Sequence, residues 1–369
     1  MNEYLGGKNV IVIHHSPRQG QENNEITFSR ESLIQIGKWF SLVRVTGFDI
    51  ELDGALYNIK PFLDLFRKNR KIIQMRHIKV KMSTMTEENK KDLLDFIREF
   101  PSVEELSLWQ CKLSDKDAPM VIEMIRASSI CNLNLRRNDF SGNGICKIVH
   151  SVPVAHWARL KRLDMSYNRI ENAGGLGLSN LIWMGNLTAL YINDCQLGTV
   201  ATAAILYAAA CSNIEILELT NGMIDDKEGA VALKYFLENN GNIRELCLKF
   251  CTITDSVLDK IAPVIYKCPR LWRLNIKGNH ALTVGAVLKM LDTMQYHPKL
   301  GSLDVCFCEE PWPTPGVYVK RVEERLRLFR KFRSMIAIVS TRAIKRIGSK
   351  SPLSILPIDV FRVLQVMLE

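Results

Sequence analysis

No apolar run among the 369 residues is long enough to cross a bilayer. The longest nearly apolar stretch, TVATAAILYAAAC (199–211), falls well short of the ~20 residues a membrane helix needs. The start, MNEYLGGKNVIVIHHS, carries an acid near its front and a single short apolar run, so no secretory leader is expected. SGNGICK (141–147) lacks the glycine–lysine–hydroxyl spacing of a phosphate loop. His150 and His156, near Trp157, have no carboxylate or nucleophile placed with them in a catalytic order. Ten cysteines are too sparse at this length for a disulfide framework. NLT (186–188) matches a glycosylation acceptor, but Leu187 is required for the core described below. These absences point to a soluble, cytoplasmic chain with no catalytic residues, cofactor or metal.

Charge of one sign is also missing from most of the chain. The net charge is +10, yet residues 320–350 alone hold eleven Lys and Arg against two Glu. The remainder is close to neutral, which argues against a nucleic-acid groove. What the chain does have is a repeat. Apolar residues recur as apolar-x-x-apolar-x-apolar-x-x-(Asn or Cys)-x-apolar in VEELSLWQCKL (103–113), ICNLNLRRNDF (130–140), LKRLDMSYNRI (160–170) and LTALYINDCQL (187–197). It continues in IEILELTNGMI (214–224), IRELCLKFCTI (243–253), LWRLNIKGNHA (271–281) and LGSLDVCFCEE (300–310). The ninth place is Cys111, Asn138, Asn168, Cys195, Gly222, Cys251, Asn279 and Cys308, in steps of 27, 30, 27, 27, 29, 28 and 29 residues. Weaker copies, MRHIKVKMSTM (75–85) and VTGFDIELDGA (45–55), put Ser83 and Asp53 there.

The pattern resembles the leucine-rich repeat, and its period the ribonuclease-inhibitor-like class. The resemblance implies an α/β solenoid of about ten coils, with a parallel sheet inside and helices outside. The residues support the same reading directly. Each LxL is a short strand with two side chains inward, and the sharp turn after it strands backbone groups inside. A buried Asn both donates and accepts, so it can satisfy them, and Cys is a small substitute that tolerates burial. Asn168 is therefore a structural residue. Helical-period segments follow at 86–100, 225–240 and 254–268, with Ser114/Asp117 and Asp225/Glu228 at capping spacing. Residues 1–44, with NVIVI and RESLIQIGKWFS, are expected to form an N-terminal cap, and 45–310 the solenoid.

Outward strand positions would line the concave face. They include Trp109, Arg136, Arg137, Tyr167, Tyr191, Lys249, Phe250, Lys277 and Phe307, with Asp164, Glu218 and Asp304 among them. Aromatic and arginine side chains are the usual anchors of protein interfaces, so a protein partner is expected there. The alternative is a solvated sheet face with scattered rings. Cys247/Cys251 and Cys306/Cys308 do not make a metal site, because one cysteine of each pair faces out and the other in. Equivalent cysteines two coils apart are also ~10 Å distant.

Past the repeats, EEPWPTPGV (309–317) marks a boundary. Region 311–350 then carries VKRVEERLRLFRKFRSMIAIV (319–339), with Val319, Val322, Leu326, Phe329, Phe332 and Ile336 on one helical stripe among arginines. It reads as a cap on the last coil or as a basic membrane-surface helix. SPLSILPIDVFRVLQVMLE (351–369) resembles the opening of an F-box, and a shortened F-box-like segment is similarly placed in repeat proteins of large DNA viruses. That resemblance implies docking to the Skp adaptor of a cullin ubiquitin ligase through Leu353, Leu356, Pro357, Val360, Leu364 and Leu368. A plain scaffold or inhibitor with a capping tail is the other reading. A third resembles the leucine-rich Ran activators, with an arginine at a coil edge assisting a GTPase.

Overall fold

The computed structural model describes residues 10–15, 25–27, 33–38, 45–52, 56–83, 85–293, 297, 299–300, 302–305 and 327. Eleven parallel strands form one sheet, each paired with its neighbours in chain order. They are Val10–His15, Gly47–Leu52, His77–Met82, Glu105–Leu108, Asn132–Asn134, Arg162–Asp164, Ala189–Tyr191, Ile216–Glu218, Glu245–Cys247, Arg273–Asn275 and Ser302–Asp304. The register stacks the leucine of each LxL on the next: Leu106, Leu133, Leu163, Leu190, Leu217, Leu246, Leu274 and Leu303. All are buried, as are Leu108, Leu135, Met165, Ile192, Leu219, Leu248 and Ile276 two residues on. The first strand pairs with Gly47–Leu52, so the sheet begins ahead of residue 45, inside the stretch expected as a cap. Glu25–Thr27 pairs with Leu56–Asn58 in a separate two-stranded sheet.

The ninth-position side chains form a ladder through the interior. Asn138 Nδ2 donates to the carbonyls of Leu108 (2.7 Å) and Leu135 (2.8 Å), while its Oδ1 accepts from the Cys111 and Leu113 amides, both at 3.0 Å. Asn168 repeats this one coil on, with Leu135 and Met165 carbonyls and the Phe140 amide. Asn279 does so again with Leu248, Ile276, Cys251 and Ile253. The cysteines keep only the donor half. Cys111, Cys195 and Cys251 direct Sγ at the carbonyls of Val80, Met165 and Leu219 in the preceding coil. Burial pushes all three thiols up to about 12, so they stay protonated and able to donate at neutral pH. Gly222 offers neither donor nor acceptor, and Thr202 Oγ1, buried 3.3 Å from where its Cβ would stand, has no hydrogen-bond partner.

One residue before each of these positions the backbone is left-handed: Gln110, Arg137, Tyr167, Asp194, Asn221 and Phe250 have φ of 52° to 61°, and Gly278 has 78°. That single residue redirects the chain so that the next side chain points back under the strand. The conformation costs a non-glycine residue ~1–2 kcal/mol. An inter-coil hydrogen bond offsets it each time. The amides of Gln110, Arg137, Tyr167, Asp194, Asn221 and Phe250 donate to the next coil's carbonyls at Arg136, Ser166, Asn193, Thr220, Lys249 and Lys277, at 2.7 to 3.1 Å. The three cysteine coils have a second left-handed residue just after the cysteine, at Lys112, Gln196 and Thr252.

Helices cover the outside. Thr86 caps Glu87–Glu99 by accepting from the Asn89 amide. Ser114 and Asp117 form a complete capping box, although it closes one 3-10 turn ahead of Ala118–Ala127. The Asp225/Glu228 box does not form. The helix starts at Glu228, and Asp225 Oδ1 instead accepts from the Gly229 amide at 2.7 Å. Residues 254–268 split at Pro263 into Asp255–Ile261 and a 3-10 stretch Ala262–Lys267. Glycines bring three helices, Gly142–Ser151, Glu171–Met184 and Thr199–Ala210, unusually close. A Cβ on Gly142 would meet Gly174 N at 2.8 Å, and one on Gly175 would meet the Ala201 methyl at 2.5 Å.

The concave face as candidate functional site

Side chains alternate along a strand, so the residues between the buried leucines stand on the concave face in rows. One row runs Asp49, Lys79, Ser107, Asn134, Asp164, Tyr191, Glu218, Cys247, Asn275 and Asp304. In the early coils this surface is internally paired. Lys79 Nζ lies 3.4 Å from Asp49, Lys81 pairs with Glu51, and His77 Nδ1 lies 2.9 Å from Glu105 Oε2. Lys81 Nζ also sits 4.8 Å above the Trp109 ring. Together these coils enclose a groove of about 490 Å³ whose walls include Glu105, Trp109, Asn132, Arg162, Asp164 and Tyr191.

The middle coils are built differently. The guanidiniums of Arg136 and Arg137 lie over the Tyr167 ring at 4.5 and 5.0 Å, and Arg162 donates to the Tyr191 hydroxyl at 2.7 Å. Asp164 faces them from the centre of the sheet, with Arg136 Nη1 at 4.0 Å and the Ser166 amide donating at 2.9 Å. Desolvation dominates there and raises the Asp164 carboxyl above its ordinary value, against the pull of Ser166 and Arg136. A carboxyl raised on folding binds more protons in the native state, so its ionisation opposes folding once the pH passes the ordinary carboxylate range. Asp164→Asn, which keeps the acceptor for Ser166, is therefore expected to raise Tm at pH 7. That gain should shrink as the pH falls through the carboxylate range, in paired thermal melts from pH 7 to pH 3.

Tyr167 and Phe250 are solvent-facing, 38% and 47% exposed, and Arg137 is exposed beside Tyr167. Arg136, Tyr191 and Lys249 are half-buried on the same face. The Phe250 ring stands over Gly278, where a Cβ would come within 2.3 Å of it. Trp109 departs from the expectation of an exposed ring. It is half-buried and its Nε1 is enclosed without a partner, because Lys81 and the neighbouring strand cover it. The structure brings Arg136, Arg137, Tyr167 and Tyr191 together, whereas Phe250 and Lys249 lie three coils further on. Arg162 was not among the expected anchors, although it occupies the outward position two before Asp164. Phe307, Cys306 and Cys308 lie outside the described residues, as do 309–317, the 319–339 stripe and the 351–369 segment. Among the described residues no three His, Cys, Asp or Glu side chains are grouped to hold a metal ion.

Stacked LxL strands, an interior Asn/Cys ladder and an outer helix in each coil define a leucine-rich repeat solenoid of the ribonuclease-inhibitor-like class. The chain is similar to ribonuclease inhibitor of Mus musculus, 24% identical over 273 residues that make up 72% of this chain and 58% of that protein. It thus spans little more than half of that relative's length. No family model matches. A solved TLR13–ssRNA13 complex aligns over 73% of this chain and 40% of the other, at 11% identity and a TM-score of 0.40.

Proposed function

We propose that the chain is a non-catalytic scaffold that holds a protein partner on its concave face. The observation that carries this is the arginine–tyrosine surface of the middle coils, in which exposed rings and guanidiniums are fixed on a rigid sheet. Rigid aromatic and arginine anchors lose little conformational entropy on binding. Similarity to a protein named for inhibiting ribonuclease fits the same class of action. The test is capture of cross-linked partners from extract by the parent and by Tyr167→Asp/Phe250→Asp. Both side chains are exposed, so the variant should melt with the parent yet lose the partners by at least tenfold. Equal capture by the two would remove the concave face from the reading.

The finer reading is recruitment of that partner to a Skp–cullin ubiquitin ligase through residues 351–369. It is supported by the sequence there, with Leu356-Pro357, Asp359 and the apolar spacing of Val360, Leu364 and Leu368 resembling an F-box opening. Deleting 351–369 discriminates it from a capping role. Loss of Skp binding at unchanged Tm supports the ligase, and a lowered Tm with no adaptor bound supports the cap. A cytoplasmic location belongs to the same proposal, supported by ladder cysteines that donate only as reduced thiols.

A further inference from the structure

We infer that the arginine–tyrosine cluster of the middle coils is a receptor for an acidic peptide segment of the partner, so that carboxylates are what the concave face recognises. This rests on the scaffold reading and gives the partner a chemistry. The cations of this face differ in whether a carboxylate already pairs with them. Lys79, Lys81 and Arg273 on this face each pair with one, at Asp49, Glu51 and Asp304. Among the described residues Arg137 and Arg162 form no ion pair, and Arg136 reaches only Asp164, at 4.0 Å. Three guanidiniums on two adjacent coils therefore have a single ion-pair contact among them, the 4.0 Å approach of Arg136 to Asp164.

The guanidiniums are also held in place without being used up. Stacking on Tyr167 and the hydrogen bond to Tyr191 fix their planes and leave most of their N–H donors unoccupied. A guanidinium presents its donors as a fork that a carboxylate fills with two parallel hydrogen bonds. The left-handed backbone at Arg137 and Tyr167 sets both side chains at the rim, where an incoming chain meets them first. A nucleic acid fits less well. Asp164 and Glu218 stand in the row beside the cluster, and the adjoining groove has acids on both walls. A phosphate backbone would run against those acids along its whole track, whereas a flexible peptide can set its carboxylates on the guanidiniums alone.

The probe is a fluorescently labelled peptide of about twelve glutamates, titrated into the full chain at low and at physiological salt, where a ~8 Å screening length separates contact from long-range attraction. Because residues 320–350 are basic, the parent is compared with two charge variants. Arg137→Glu/Arg162→Glu should weaken binding at least tenfold. Lys345→Glu/Arg346→Glu should change it less than threefold. Arg137→Gln/Arg162→Gln, checked for an unchanged circular dichroism melt, should fall between the parent and the glutamate pair. The assignment is overturned if the parent does not bind, if the cluster variants bind as the parent does, or if the Lys345/Arg346 variant shows the larger loss. It is equally overturned if a single-stranded RNA of matched length and charge binds more tightly than the peptide. Should any of these occur while extract partners still depend on Tyr167 and Phe250, the scaffold reading stands and only the acidic partner falls.

Discussion

Asn138→Ala is expected to lower the stability of the solenoid by about 3 kcal/mol, measured as a shift in the urea midpoint at constant m. The side chain satisfies four buried backbone groups: the Leu108 and Leu135 carbonyls and the Cys111 and Leu113 amides. Leu135 keeps the Asn168 donor, so three groups are left unmade at ~1–3 kcal/mol each, and the low end gives the figure. Asn168→Ala leaves only the Phe140 amide unmade, since Asn138 still serves Leu135 and Cys195 serves Met165, and should cost less, about 2 kcal/mol. Cys111→Ala removes a single sulfur donor and should cost roughly 1 kcal/mol. The order Asn138, Asn168, Cys111 is the decisive result. If Asn138→Ala cost no more than Cys111→Ala, the acceptor half of the ladder would have no energetic part in the fold.

Trp157→Ala should cost about 3–5 kcal/mol, the range for deleting a buried tryptophan side chain. Its coil runs 30 residues from Asn138 to Asn168 and includes the short helix Val154–Trp157. The indole is 1% exposed and donates Nε1 to the Val149 carbonyl at 3.0 Å. It fills the space that the longer coil opens between the strand and the helix Gly142–Ser151. Trp157→Phe keeps most of that volume and loses the hydrogen bond, so about 1–2 kcal/mol is expected. A Phe variant as unstable as the Ala variant would place the effect in the hydrogen bond and not in the packing. The same packing accounts for Trp157 without any catalytic role for the histidines near it.

The frame of the molecule was legible because one pattern carries both period and register. The LxL of each coil assigned Leu163 and Met165 to the interior and Tyr167 to the surface, and the structure places them so. Asn168 was readable as structural because only a side chain with both donor and acceptor fits among core residues in a sharp turn. The left-handed turns were not legible. The usual signal is glycine, and six of the seven positions hold Gln, Arg, Tyr, Asp, Asn or Phe, with hydrogen bonding between coils deciding the conformation. Trp109 was misjudged since exposure depends on the neighbouring strand, and that strand's Lys81 lies in a weak copy of the repeat. The Asp225 cap failed for a similar reason: the spacing was right, but the helix begins later. Arg162 was legible by position, and only its pairing with Tyr191 required coordinates.

At Arg137, Tyr167 and Phe250 the left-handed residue is held through its own backbone amide, and its side chain takes no part in the ladder. Structural duty and side-chain identity are thus uncoupled at this position in the six coils from Gln110 to Phe250. A substitution there alters what the rim displays and leaves the core, the ladder and the register as they were. Six such positions give the molecule a row of interchangeable letters on a fixed page. A protein of this construction can exchange one partner for another through changes that folding does not oppose.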